Sequence, residues 1–262
     1  MDLGLKGRAV IVAGSSEGIG LAAARRFAAE GARLAVCSRD AVKLSAAAET
    51  LRGECGAEVF AEPVDVASEA AVNAFVGRVA ERFGGVDVCV ANAGGPPARQ
   101  FLATTGEEWR QAVETNLLSV VHLARAVLPA MQRAKWGRIV TITSVSVRQP
   151  IGDLIYSNTV RAGVLGLVRS LANEFGKDGI TVNNVGPGFT ATRRLRQLAA
   201  NRAAELGIGE ADYFARIAAD VPLKRIGQPE EIADAIVWLC SERASYISGQ
   251  TVLVDGGLYK GL

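Results

Sequence analysis

Strand-like and helix-like signals alternate along this chain from end to end, and that alternation confines it to very few architectures. RAVIVAG (8–14) is short, β-branched and ends in glycine, while GIGLAAARRFAAEG (18–31) has helical apolar spacing and stops at a glycine, a common helix end. The pattern repeats as strand ARLAVCSR (32–39), helix AVKLSAAAETLRG (41–53), strand AEVFAEPVDV (57–66) and helix EAAVNAFVGRVAERFG (69–84). VDVCVANAGG (86–95) precedes a helix expected over about 107–134, and GRIVTITS (137–144) precedes one over about 157–176. ITVNNVGPG (180–188) and QTVLVDGG (250–257) complete the strands. Strands that are apolar almost throughout indicate a parallel sheet covered on both faces. Right-handed crossovers then give an α/β, doubly wound, Rossmann-type fold. With 262 residues and no linker or repeat, a single domain is expected. One excursion, about 189–228, should form a helical flap above the carboxyl edge of the sheet, where ligands of such folds bind.

Composition narrows the partners. A formal charge of +2 gives no electrostatic case for nucleic acid or an anionic membrane. No apolar run reaches the roughly 18 residues of a membrane helix. The opening stretch MDLGLKGRAVIVAG leads directly into a strand without a signal-like apolar region, so a cytoplasmic location is expected. Cys37, Cys55, Cys89 and Cys240 are scattered, and Cys37 and Cys89 read as small core residues. The single histidine, His122, lies in an apolar helix and reads as a core or subunit-interface residue. No carboxylate spacing suggests a metal, so no metal site is expected.

The first strand-to-helix turn carries the clearest chemical signal. AGSSEGIG places Gly14, Gly18 and Gly20 where a tight turn and close backbone approach to a pyrophosphate are needed, with Ser16 and Ile19 beside them. Ser15 and Ser16 read as phosphate ligands or helix caps. The spacing, G-x-x-x-G-x-G, differs from the more widespread G-x-G-x-x-G fingerprint. With it come VDV (64–66), ANAGG (91–95), TNLLS (115–119), GRIVTITS, PGFTAT (187–192) and SGQTVLVDGG (248–257). On these motifs the chain resembles, essentially end to end, the classical short-chain dehydrogenases/reductases, and most closely the 3-oxoacyl-acyl-carrier-protein reductases.

That resemblance implies roles. Asp65 would bond the adenine amino group with the Val66 backbone beside it, and Asn92, Ala93 and Gly94 would line the adenosine ribose. Pro187, Gly188 and Thr192 would lie along a nicotinamide. An acid at the end of the second strand would select NAD(H). Ser38 stands there instead and Arg39 follows, a good fork for a 2′-phosphate, so NADP(H) is favoured over NAD(H). Glu17 and Asp40 argue the other way. A homo-oligomer, tetramer or dimer, is also implied.

The family's proton donor is the tyrosine of Tyr-x-x-x-Lys, aided by a serine at the preceding strand end and an asparagine in the long fourth helix. Ser144 and Asn116 match the latter two. The pair itself is absent. Four residues beyond Tyr156 stands Val160, and Arg161 is five along, about 140° round a helix. Aligning RAG (161–163) with the family's KAG gives Ser157-x-x-x-Arg161, and the interval from Ser144 to Ser157 equals the family's serine-to-tyrosine interval. Ser157 therefore matches the catalytic tyrosine. Tyr156 reaches the site only if the helix starts late, carries a bulge, or leaves the preceding segment free to fold across; otherwise it is a packing aromatic.

Two functions remain open. One is an NADP(H)-preferring oxidoreductase acting on a small carbonyl or secondary alcohol, including a 3-oxoacyl thioester, with an altered proton donor among Ser144, Tyr156, Ser157, Arg161 and Asn116. The other is a catalytically impaired NADP(H)-binding protein serving as partner subunit or redox sensor. Arg193, Arg194 and Arg196 in the flap either face an anionic substrate or face water.

Overall fold

The computed structural model describes every residue, Met1–Leu262. Seven strands form one parallel sheet: β1 Ala9–Ala13, β2 Arg33–Ser38, β3 Val59–Pro63, β4 Val88–Ala91, β5 Gly137–Ile142, β6 Ile180–Pro187 and β7 Thr251–Val254. Their order is β3-β2-β1-β4-β5-β6-β7, so the direction of winding reverses between β1 and β4 and opens a crevice at their carboxyl ends.

The strands are apolar on both faces because both are covered. Val10, Val12, Leu34, Val36, Val88, Val90 and Val140 point to one face, against α1 (Gly18–Ala29), α2 (Ala41–Cys55) and α9 (Pro229–Leu239). Ala9, Ile11, Ala35, Cys37, Cys89, Ile139 and Val182 point to the other, against α3 (Glu69–Phe83), α5 (Ser119–Ala134) and α6 (Ile155–Phe175). The period of two along each strand sorts the residues into two clusters of equal size, 26 buried residues each, as a sheet sandwiched between helix layers requires.

Three differences from the sequence expectations have physical causes. The helix expected over 107–134 is divided into α4 (Gly106–Val113), one π-turn (Glu114–Leu118) and α5. The Asn116 and Ser119 side chains bond back to the carbonyls of Ala112 and Thr115 in that wider turn. Helix α9 was not among the expected elements, although Pro229 at its first position and Glu231, whose carboxylate accepts from Gln228 N at 2.8 Å, form a recognisable start signal. His122 is only partly buried, with Nδ1 3.2 Å from Val66 O, so it sits at the margin of the core.

The 189–228 excursion contains α7 (Arg193–Leu206) and α8 (Glu210–Asp220). Its two ends meet: Ala191 N donates to Gly227 O and Gly227 N to Phe189 O, at 2.8 and 2.9 Å. No helix is long and apolar enough to cross a membrane, and no cluster of metal-ligating residues forms.

Candidate active site

The crevice at the strand reversal widens into a cleft of about 580 Å³, within the range of small-molecule and cofactor sites. One end is formed by the turn after β1. Gly14 and Gly18 have φ of +60°, which favours glycine, and a Cβ on Gly14 would lie 2.7 Å from Asn92 Nδ2. Asn92 Nδ2 donates to Ala13 O and Gly14 O, tying β4 to the turn. Ser16, Gly18 and Ile19 line the cleft. Glu17 precedes α1 without offering a side-chain cap, so no side chain of the turn occupies the first N–H groups of that helix. Ser15 neither caps nor reaches the cleft; it is buried and its hydroxyl bonds Cys37 O. Gly20 does not line the cleft either. A Cβ there would lie 2.2 Å from Gly14 O, so its glycine is required for helix and turn to pack.

At the β2 side lie Ser38, Arg39, Asp40 and Lys43, and beyond them Asp65 and Val66. Lys43 was not foreseen; one turn into α2, it stands 3.7 Å from Glu17 and 3.5 Å from Asp40. Arg193 also pairs with Glu17, at 3.0 Å. Asp40 caps α2 by accepting from Lys43 N, which holds its carboxyl below the usual range. The two acids that argued against a phosphate are thus already engaged by cations. Ala93, Gly94, Pro187, Gly188 and Thr192 line the middle of the cleft, and Thr192 Oγ1 accepts from Leu195 N to start α7.

The other end is built by β5 and α6. Asn184 on β6 accepts from Thr141 and donates to Thr143, fixing the last turn of β5 before Ser144. Ser144 Oγ accepts from Ser146 N at 3.1 Å, and Ser146 Oγ lies 3.5 Å from Ser157 Oγ. Ser157 and Arg161, one helical turn apart, both line the cleft and are each 8% exposed. Arg161 Nη1 donates to the carbonyls of Ile142 and Thr143 at 3.0 and 2.9 Å. Burial, helped by the like charge of Arg194, pushes its pKa down to about 10, so it remains a cation at neutral pH.

Tyr156 is not part of this cleft. α6 begins at Ile155 with no bulge at the tyrosine, so Tyr156 lies about 100° round the helix from Ser157. Its ring is fully buried, edge-on to Trp109 at 4.7 Å, and its hydroxyl donates to Glu108 Oε2 at 2.8 Å and accepts from Thr105 N at 3.3 Å. Burial and the Glu108 bond raise the phenol's pKa, whereas the same bond chiefly lowers that of Glu108. Because the folded carboxyl has the lower pKa, its contribution to stability is present at neutral pH and lost as pH falls through the folded value. Tyr156→Phe should therefore lower the melting temperature by a few degrees at pH 7, with the deficit shrinking on acidification, as thermal unfolding scans at several pH values would read.

Asn116 also stands behind the cleft, whose wall there is Thr115. Its Nδ2 is used on Ala112 O, and its buried Oδ1 has no protein partner.

The glycine turn and the uncapped start of α1 fit the pyrophosphate of a dinucleotide. A cleft built this way at a strand reversal belongs to the dinucleotide-binding oxidoreductase class of doubly wound folds. Comparison with known proteins narrows this. The family described as enoyl-(acyl carrier protein) reductase matches residues 13–259. The 3-oxoacyl-[acyl-carrier-protein] reductase FabG of Escherichia coli is 35% identical over 257 residues, 98% of this chain and 99% of that protein. L-sorbose reductase from Gluconobacter frateurii, solved with NADPH and L-sorbose, superposes with a TM-score of 0.95 at 36% identity over the whole of both chains. An NADPH-bound short chain oxidoreductase from Pseudomonas aeruginosa, described as containing an atypical catalytic center, has a TM-score of 0.89 at 34% identity, covering 98% of this chain and 99% of that one. The chain belongs to the short-chain dehydrogenase/reductase family.

Proposed function

We propose that this protein is an NADP(H)-preferring oxidoreductase that interconverts a carbonyl and a secondary alcohol, with a serine where its relatives place the proton-donating phenol. The observation that carries the reading is the convergence of Ser144, Ser157 and Arg161 on one end of the cleft whose other end is the glycine turn. The pairing of Glu17 with Arg193 and Lys43 supports the preference for NADP(H), since it leaves Arg39 free to meet a 2′-phosphate beside Ser38, whose hydroxyl bonds Asp40 O. NADPH bound in the sorbose reductase and in the Pseudomonas protein supports it too.

Gly14, Ser16, Gly18 and Ile19 would hold the pyrophosphate, Asp65, Val66, Asn92, Ala93 and Gly94 the adenosine, and Pro187, Gly188 and Thr192 the nicotinamide. When bound, the dinucleotide supplies the hydride. Ser144 Oγ already accepts from Ser146 N, so its own proton is free to donate to the substrate oxygen. Arg161 lends positive potential to the oxygen as it gains charge, and its guanidinium bonds ribose hydroxyls. It does not pass protons at neutral pH. A serine hydroxyl is a far weaker acid than a phenol, so the proton would reach the alkoxide through a water held beside Ser157, which regains its proton from bulk solvent. The free Oδ1 of Asn116 is suited to accept from a water behind Thr115. Turnover is accordingly expected to be slow.

The absence of a proton-passing side chain beside Ser157 favours one rival, an NADP(H)-binding partner subunit or redox sensor. A panel of ketones, acyl thioesters and alcohols followed by NADPH absorbance separates the two. Measurable turnover that falls about a hundredfold in Ser144→Ala supports the enzyme. Tight NADPH binding with no turnover supports the sensor. In the same assay Arg39→Ala should raise KM for NADPH about tenfold while leaving that for NADH unchanged.

A further inference from the structure

One charged side chain in the cleft is used by nothing above. Arg194 stands in the first turn of α7, half-buried and lining the cleft; Arg193 also borders the cleft but is exposed and tied to Glu17, and Arg196 is exposed and outside it. The sole hydrogen bond of Arg194 is to a neutral acceptor, Pro96 O, and no carboxylate pairs with it. Partial burial holds its guanidinium below the ordinary arginine value.

Arg161 shares its position. A Cβ built on Gly95 would lie 3.5 Å from Arg194 Nε and 3.8 Å from Arg161 Nη2, so both guanidinia flank one point. The acids of the cleft all lie on the β1–β3 side. Glu17 is engaged by Arg193 and Lys43, Asp40 by Lys43, and Asp65 accepts from Ala67 N in its own turn. Two like charges therefore stand together, Arg161 buried and Arg194 half-buried, with no carboxylate of the protein beside them. Such a pair is costly unless a partner of opposite sign completes it.

We propose that the partner is the substrate itself: a carbonyl compound carrying an anionic group, carboxylate or phosphate, which Arg194 binds while the carbonyl oxygen meets Ser144. Arg194 is then the residue that selects charged over neutral carbonyls. The chain between the two groups is short, because Arg161 is bonded to Thr143 O, next to Ser144, and also flanks Gly95. Ile151, Leu154, Leu195 and Leu198, which also line the cleft, are apolar and carry no charge. The reaction assigned to this substrate rests on the oxidoreductase reading above; its binding does not.

The test is calorimetric titration of the NADPH-loaded protein with matched pairs: 3-oxobutanoate against its methyl ester, and glycerone phosphate against glycerone. The wild type should bind at least one anion tenfold or more tighter than its neutral partner, and which anion does so distinguishes carboxylate from phosphate. Arg194→Gln should weaken that anion tenfold to a hundredfold and the neutral compound less than twofold, since a hydrogen bond to a charged group carries energy of that order. Arg194→Lys should recover part of the loss, and Arg196→Gln should change nothing. Equal binding of anion and neutral partner by the wild type overturns the proposal. So does an equal loss in Arg194→Gln and Arg196→Gln. Parallel NADPH assays separate the two readings. Arg194-dependent anion binding without turnover of any carbonyl leaves the anion site standing and removes the reductase. Turnover of neutral ketones with no anion preference does the reverse.

Discussion

Ser157→Tyr combined with Arg161→Lys is expected to raise kcat for carbonyl reduction about a hundredfold, the lower range of a well-placed general acid. The two positions are one turn apart on α6, both line the cleft, and the cleft of about 580 Å³ leaves room for a phenol. An ammonium at position 161 would meet the same burial that pushes Arg161 down to about 10. Starting from a lower intrinsic value than a guanidinium, it would titrate closer to neutrality, where it both depresses the neighbouring phenol and exchanges its own proton. Each change alone should give much less, because the phenol needs the cation and the cation has no acid to assist. The effects should therefore be strongly non-additive. Steady-state rates of the four proteins on one ketone measure this. An unchanged kcat in the double variant would mean that proton delivery at position 157 does not limit the reaction.

Gly20→Ala is expected to cripple cofactor binding although residue 20 itself lines no part of the cleft. The new Cβ would lie 2.2 Å from Gly14 O and 2.9 Å from Gly14 C, both backbone atoms that cannot swing aside. Helix α1 must then move away from the turn after β1, at a cost of about 1–3 kcal/mol, typical of overpacking. The same displacement spoils the alignment of the first N–H groups of α1 with the pyrophosphate. An NADPH dissociation constant raised about a hundredfold, with a lower melting temperature, is the expected outcome by fluorescence titration and thermal unfolding. Arg25→Ala on the same helix, outside the cleft and paired only with Glu54 at the surface, is the control and should leave NADPH affinity unchanged.

The fold was legible because the physics that sets it is local and repeated. Strands such as AVIVA and ITVNNVGP, buried at every position, announce a sheet covered on both faces. Residues with fixed backbone duties were equally legible. Gly14 and Gly18, expected in a tight turn, adopt the left-handed conformation there. The register of α6 followed from counting, since Ser157 and Arg161 share a face and Tyr156 does not. What the sequence could not supply was which distant side chains meet. Glu108 as the partner of Tyr156 lies 48 residues away, and Arg193 reaches Glu17 across 176. Lys43 was hidden for the same reason: its role depends on how α2 leans over the glycine turn. The partial burial of Arg194, where Arg193 and Arg196 are exposed, is a matter of helix orientation that the run TRRLR does not encode.

The placement of a serine at the proton-donor position is tested most directly by a crystal structure of the NADPH complex. The account predicts the hydroxyls of Ser144 and Ser157 at the reactive edge of the nicotinamide, with the Tyr156 phenol still bonded to Glu108. The Tyr156 hydroxyl within hydrogen-bonding distance of Ser144 would contradict it.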